Sequence, residues 1–154
     1  MAYIETDIYV NAPIELCFDM ARDISLHSET VWAHTKERAV GGVVSGVIGL
    51  GQEVTFEARH FGIRQRLTAR VIEFDRPYVF AEVMLKGAFK TLKHTHMFEV
   101  SGNGTLMKDV LVFTSPFGMI GKLFEAVVLE RYMKAFLVYR QRKLKELIKQ
   151  RIQG

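Results

Sequence analysis

Two runs of alternating residues joined by Ser101-Gly102-Asn103-Gly104 constrain this chain more than any other stretch. Gly102-Asn103 supplies residues that tolerate positive φ, as a tight hairpin requires. With the turn centred there, facing residue numbers sum to 205, which sets His96 opposite Asp109, Phe98 opposite Met107 and His94 opposite Leu111. Side chains alternate along a strand, so His94, His96 and Phe98 share a face with Met107, Asp109, Leu111 and Phe113. That face is an apolar wall carrying two imidazoles and a carboxylate. Such a wall is either a core with paired histidines or the lining of a ligand pocket.

The rest of the chain extends the sheet. Tyr3 to Val10 alternates, with Ile4, Thr6, Ile8 and Val10 on one side. Asn11 is placed to cap a following helix, with Pro13 in its first turn and Ile14, Cys17, Phe18 and Ala21 at helical spacing. A second short helix is expected from about Ile24 to Trp32, then a strand over Lys36 to Val40. The glycine-dense run 41–51 has neither Gly-x-x-x-x-Gly-Lys nor a complete Gly-x-Gly-x-x-Gly, because Val54 stands where the third glycine belongs. It reads as a sharply turning loop rather than a phosphate cradle. Gln52 to His60, Ile63 to Phe74 and Tyr78 to Lys86 are further strands, broken at Phe61-Gly62, Asp75-Arg76-Pro77 and Gly87-Ala88-Phe89. Pro116 ends the last strand, and Phe117-Gly118 leads into a long helix from about Ile120 to Ile152. Its apolar stripe is Leu129, Met133, Phe136, Leu137, Leu144 and Leu147, with Arg140 inside it.

Composition narrows the class. The 154 residues hold 49% hydrophobic and 25% charged residues, enough for one globular domain over 1–154 with its own core. Cys17 is the sole cysteine, so no intrachain disulfide forms and a reducing, cytoplasmic setting is expected. The first residues lack a basic, apolar leader pattern, and no apolar run suffices to span a bilayer. Residues 131–151 carry eight cations against Glu146, a charge of +7, which leaves −3 for the remainder of a chain whose net charge is +4. A basic helix end on a mildly acidic body is not a nucleic-acid-binding profile. It is either a solvated face complementing the helix dipole or a patch attracted to anionic membrane surface, without stable insertion.

Several stretches carry a resemblance: Ala58-Arg59-His60-Phe61-Gly62, Phe74-Asp75-Arg76-Pro77, Gly87-Ala88-Phe89, His94 to Glu99, Gly104 to Asp109, and Pro116-Phe117-Gly118. With the order strand, two short helices, six strands and long helix, the chain resembles the START-related (SRPBCC) superfamily. It is similar above all to its bacterial single-domain cyclase/dehydrase-like or ligand-binding members. The resemblance implies an α+β helix-grip fold. In it a seven-stranded curved antiparallel sheet is crossed on its concave face by the C-terminal helix, with a cavity between them. It also implies a small hydrophobic or amphipathic ligand, such as a lipid, polyketide, aromatic or isoprenoid metabolite. The apolar body of that ligand would lie against Phe56, Phe80, Phe98, Leu111, Phe113, Met133 and Phe136. Fold alone does not choose among the reactions of such a superfamily.

The polar residues of the wall leave alternatives open. A three-residue loop at Gly87-Ala88-Phe89 sets Glu82 opposite His94 and Phe80 opposite His96, whereas a two-residue loop turns Glu82 to the other face. In the first register Glu82, His94, His96 and Asp109 cluster, and Arg140 approaches from the helix, paired with a carboxylate or extended to solvent. The cluster is a buried hydrogen-bond network, or it orients a ligand's polar end, or it performs chemistry. In the last case, His94 or His96 with Asp109 or Glu82 would serve a polyketide cyclase/dehydrase-type reaction. His-x-His beside carboxylates is also a partial zinc pattern, but no metal and no cofactor is assigned. His60 ends its strand as a core or rim histidine. His27 and His34 flank Trp32 and are expected to line the cavity entrance, and Trp32 is core packing or a ligand clamp. The oligomeric state is not specified by any of these patterns.

Overall fold

The computed structural model describes residues 1–116 and 118–154. Phe117, placed by the sequence at the strand-to-helix junction, lies outside the described residues. Seven strands, β1 (Ala2–Val10), β2 (Arg38–Gly42), β3 (Glu53–His60), β4 (Ile63–Asp75), β5 (Val79–Lys86), β6 (Thr91–Ser101) and β7 (Gly104–Thr114), form one antiparallel sheet in the order β1-β7-β6-β5-β4-β3-β2. Helices α1 (Ile14–Ala21) and α2 (Ile24–His27) follow β1. The closing helix is built from α3 (Gly118–Phe124), a π-helical turn (Glu125–Leu129) and α4 (Glu130–Gln153). This is the helix-grip arrangement that the resemblance implies.

The hairpin registers follow the expected pairing. His94 faces Leu111, His96 faces Asp109 and Phe98 faces Met107 across β6 and β7. Glu82 faces His94 and Phe80 faces His96 across β5 and β6, the register that brings Glu82 to the concave side. The glycines explain two tight places. Gly102 has φ +55° in the β6–β7 turn, and Gly42 has φ +67° with the Glu53 carbonyl oxygen occupying the space a Cβ would need.

Three local expectations are corrected. Asn11 does not cap α1; Pro13 stands at the cap position with extended backbone and no side-chain hydrogen bond. The second helix stops at His27 rather than continuing to Trp32. The Thr30 hydroxyl donates to His27 O at 2.8 Å and the Thr35 hydroxyl to Trp32 O at 2.7 Å, ending helical pairing in favour of a short 3-10 turn, Ala33–Thr35. On α4 the fully buried row is Phe136, Leu137, Arg140, Gln141, Leu144 and Ile148; Leu147 packs half-buried against the same core, so the expected stripe is widened by Ile148 and by a buried glutamine.

Packing is solid at one end. Phe18 of α1 is fully buried and meets the edges of Phe74, Phe80 and Phe98 at centroid distances of 5.4, 5.2 and 5.2 Å. Val10, Met107, Leu144 and Ile148 complete that cluster. A second cluster joins Ala2, Ile4, Leu111, Phe113 and Leu137, and a third joins Ile24, Ile48, Val54 and Val71. Between these clusters the sheet and α4 do not close on one another.

Candidate functional site

Strands β5, β6 and β7 deliver four ionisable side chains to one patch because facing pairs on a pleated sheet point the same way. His94 Nε2 donates to Asp109 Oδ1 at 2.8 Å, and His96 Nδ1 lies 2.9 Å from the same oxygen. On the other side of the rings, His96 Nε2 is 3.2 Å and His94 Nδ1 3.6 Å from Glu82 Oε1. The two imidazoles stand side by side with centroids 3.9 Å apart, and Phe80 stacks on His96 at 4.2 Å. Gln141 of α4 donates to Asp109 Oδ2 at 2.6 Å and to Thr6 O at 3.2 Å, tying the patch to the helix and to β1.

Burial opposes every charge here, and pairing decides which survive. Burial works against an ionised Glu82, yet the His96 charge and its hydrogen bond pull the carboxyl down to about 2. Burial likewise disfavours a charged His96, but Glu82 and Asp109 lift its pKa to about 9. His94 moves downward, first through burial and then through its charged neighbour His96. Asp109 is held well below its ordinary value against burial, mainly by the His94 hydrogen bond. At neutral pH the patch therefore holds two carboxylates, one imidazolium and one neutral imidazole. Arg140, itself buried, brings the sum to zero and further lowers Glu82. Its Nη2 donates to Ala21 O at 3.4 Å and its Nε has no partner; it makes no ion pair within 4.0 Å among the described residues. Thus Arg140 neither pairs directly with Glu82 or Asp109 nor extends to solvent.

The space in front of this patch is a cavity of about 140 Å³. Glu82, His94, His96 and Arg140 form its polar wall, with Phe56, Phe80, Leu111, Met133 and Phe136 among the apolar lining. A larger chamber of about 420 Å³ lies beside it, walled by His60, Phe61, Ile63, Phe124 and Tyr132 among others. The two share Glu37, Phe56, Leu67, Leu92, Met133 and Phe136. Of the expected ligand-contacting residues, four stand elsewhere. Phe98 belongs to the solid cluster around Phe18. Phe113 is fully buried against Phe89 and Leu137. Asp109 sits behind the two histidines, on a gap of about 10 Å³ rather than on either chamber. Trp32 packs on Tyr132 and Phe136 of α4, at 5.3 and 5.2 Å, and lines neither chamber.

Glu37 and Tyr132 are wall residues that the sequence did not single out. Glu37 lines both chambers; its Oε1 is 3.1 Å from His27 Nε2, while its buried Oε2 has no partner. Burial raises the Glu37 carboxyl, but the His27 contact outweighs it and leaves it lowered. His27 in turn stacks on Phe56 at 4.3 Å. His60 does line the outer chamber, where its Nδ1 pairs with the Tyr132 hydroxyl at 2.6 Å, and burial lowers its pKa. His34 is exposed and lines neither chamber. Glu37 was hidden because the strand expected over Lys36 to Val40 carries no sign of which side meets the cavity; in the structure Glu37 precedes β2, which starts at Arg38. Tyr132 was hidden because its partner lies 72 residues away.

Chemically, the patch can accept a hydrogen bond, hold a proton or ligate an ion. Glu82, His94 and His96 bring one possible ligand atom each within 4.8 Å of one another, the only such group among the described residues. Cys17 is buried with its thiol pKa raised by that burial, so it offers no ready thiolate. Among the described residues, no helix is long and apolar enough to cross a membrane.

No known protein-family model matches the chain, and no curated protein matches it. Solved structures do. The protein TTHA0849 from Thermus thermophilus aligns with a TM-score of 0.75 at 18% identity, covering 96% of this chain and 97% of that one. A START superfamily protein from Mycobacterium smegmatis gives 0.73 at 12% identity over 96% and 97%. Ara h 8.0201 gives 0.66 at 12% identity over 97% and 98%. The chain therefore has the START-related helix-grip fold.

Proposed function

We propose that this protein binds or carries a small hydrophobic or amphipathic molecule, such as a lipid, polyketide, aromatic or isoprenoid metabolite, between the sheet and α4. The observation that carries this reading is the pair of adjoining chambers, about 140 and 420 Å³, with mostly apolar walls and a few polar groups at fixed depths. Pockets of a few hundred Å³ with this character suit small ligands. The ligand's apolar body would occupy the outer chamber, against Phe56, Leu92, Met133 and Phe136. Its polar end would reach Glu82, His94 and Arg140 in the inner one. Glu37 Oε2, buried and unpaired, would accept a hydrogen bond from a ligand hydroxyl, relieving the cost of burying an unmatched acceptor. Native mass spectrometry of freshly purified protein, with organic extraction of whatever is released, tests this. A retained apolar molecule supports it. A protein that emerges ligand-free and shows no thermal shift with lipids, flavonoids or isoprenoids of graded size overturns it.

A second reading is a cyclase/dehydrase-type enzyme. It is favoured by His94, which is neutral, donates through Nε2 to Asp109 and turns Nδ1 toward the chamber side, as a general base would. An enzyme would turn over a poly-β-ketone and lose rate without losing its fold in His94→Gln or His96→Asn. Unchanged turnover in both variants refutes that role.

A further inference from the structure

Beyond ligand carriage, we infer that Glu82, His94 and His96 form a binding site for a divalent transition metal, zinc foremost, with an open coordination position facing the inner chamber. Three observations carry it. The first is spacing. Ligand atoms around a tetrahedral zinc with bonds of about 2.0–2.1 Å stand about 3.3 Å apart. Glu82 Oε1 is 3.2 Å from His96 Nε2 and 3.6 Å from His94 Nδ1. All three ligand atoms lie within 4.8 Å of one another, so the set contracts to hold an ion.

The second is the layer behind it. Metal-binding histidines characteristically give their other ring nitrogen to a carboxylate, which fixes tautomer and ring orientation. Here one oxygen, Asp109 Oδ1, lies 2.8 Å from His94 Nε2 and 2.9 Å from His96 Nδ1, on the far side of both rings from Glu82. Gln141 holds the other Asp109 oxygen at 2.6 Å. Asp109, which reaches neither chamber, acquires a purpose as the positioning residue that turns both imidazoles toward a common point.

The third is the chamber itself. Two histidines and one glutamate leave a fourth position free, as in catalytic rather than structural zinc sites, and all three residues line the 140 Å³ space. Arg140 lines the same space. Binding the ion releases the His96 proton to solvent; with both imidazoles then neutral, a dication, two carboxylates and Arg140 leave one positive charge. The fitting fourth ligand is then an anionic oxygen, a carboxylate, phenolate or enolate, on an otherwise apolar molecule.

Untagged protein stripped with a chelator and titrated with Co²⁺ tests the inference. The expected result is one Co²⁺ per chain, with the strong visible bands of a four-coordinate ion, displaced by Zn²⁺. Glu82→Gln, which keeps the side-chain size, and His94→Ala should each weaken binding more than Asp109→Asn. Asp109→Asn should cost about 10–100-fold, as loss of an outer carboxylate does. His34→Ala, at an exposed position off the chamber, should change nothing. Benzoate should perturb the bands in the wild type. Should a variant not fold, X-ray absorption on the wild-type complex still reads two imidazole ligands or their absence. No stoichiometric binding, affinity unmoved by Glu82→Gln, or a shell without imidazole overturns the site. Bands indifferent to benzoate overturn the anionic fourth ligand.

Discussion

Replacing Asp109 by asparagine removes one charge from the centre of the polar patch while nearly preserving shape. In the wild type this carboxylate faces His94 Nε2 at 2.8 Å, His96 Nδ1 at 2.9 Å and Gln141 Nε2 at 2.6 Å, and the residue is only 7% exposed. The amide can accept through one oxygen only, and its NH₂ must confront at least one N–H donor. Breaking a buried ion pair by neutralising one partner costs about 3–5 kcal/mol, because the remaining charge stays buried. For a domain of this size each kcal/mol moves the melting temperature by about 2–4 °C, so a drop of about 6–20 °C is expected. Thermal denaturation followed by circular dichroism, in metal-free buffer, measures it. The histidine C–H resonances of the folded variant should also show His96 titrating well below the wild-type value of about 9. A loss under about 1 kcal/mol, with His96 titrating unchanged, would refute the claim that Asp109 anchors the patch.

His96 has a folded pKa raised from 6.5 to about 9, so its contribution is complete below pH 6.5 and lost as pH climbs toward 9. Glu82, lowered from 4.5 to about 2, contributes above pH 4.5 and loses that contribution as pH falls toward 2. His94 is lowered and opposes folding once acid forces it to charge, so melting temperature should peak between these limits and decline between about pH 7 and 9. His96→Gln should abolish the alkaline part of the decline; a flat wild-type profile there contradicts the assignment. Leu92→Trp, at a position lining both chambers, should fill space and abolish retention of an apolar ligand while the melting temperature stays within a few degrees. Phe18→Ala should cost about 3–5 kcal/mol in chemical denaturation, since that ring is fully buried among three others.

How much the sequence could say follows from contact range. The β6–β7 register was readable because Gly102-Asn103 fixes a tight turn, and a two-residue period carries that register along both strands. Glu82 was readable only conditionally, since its face depends on a loop length that the residues at 87–89 do not dictate. Contacts between α4 and the sheet were not readable. Gln141 on Asp109 and Tyr132 on His60 join residues 32 and 72 positions apart, and a glutamine in an apolar stripe reads as a stray polar residue. Nor did alternation distinguish an inward residue that meets a helix from one that meets empty space. Phe98 and Phe113 share a face with His94 and His96, yet α1 and α4 cover those two phenylalanines and leave the histidines open.

A crystal structure of the metal-free protein under xenon pressure tests the hollow most directly, since xenon enters apolar cavities without needing a specific ligand. Xenon density in the outer chamber beside Phe56, Leu92 and Met133, with the sheet and α4 unmoved, is the predicted result. Side chains from α4 packed down onto β3 and β6, leaving no site for xenon there, would contradict it.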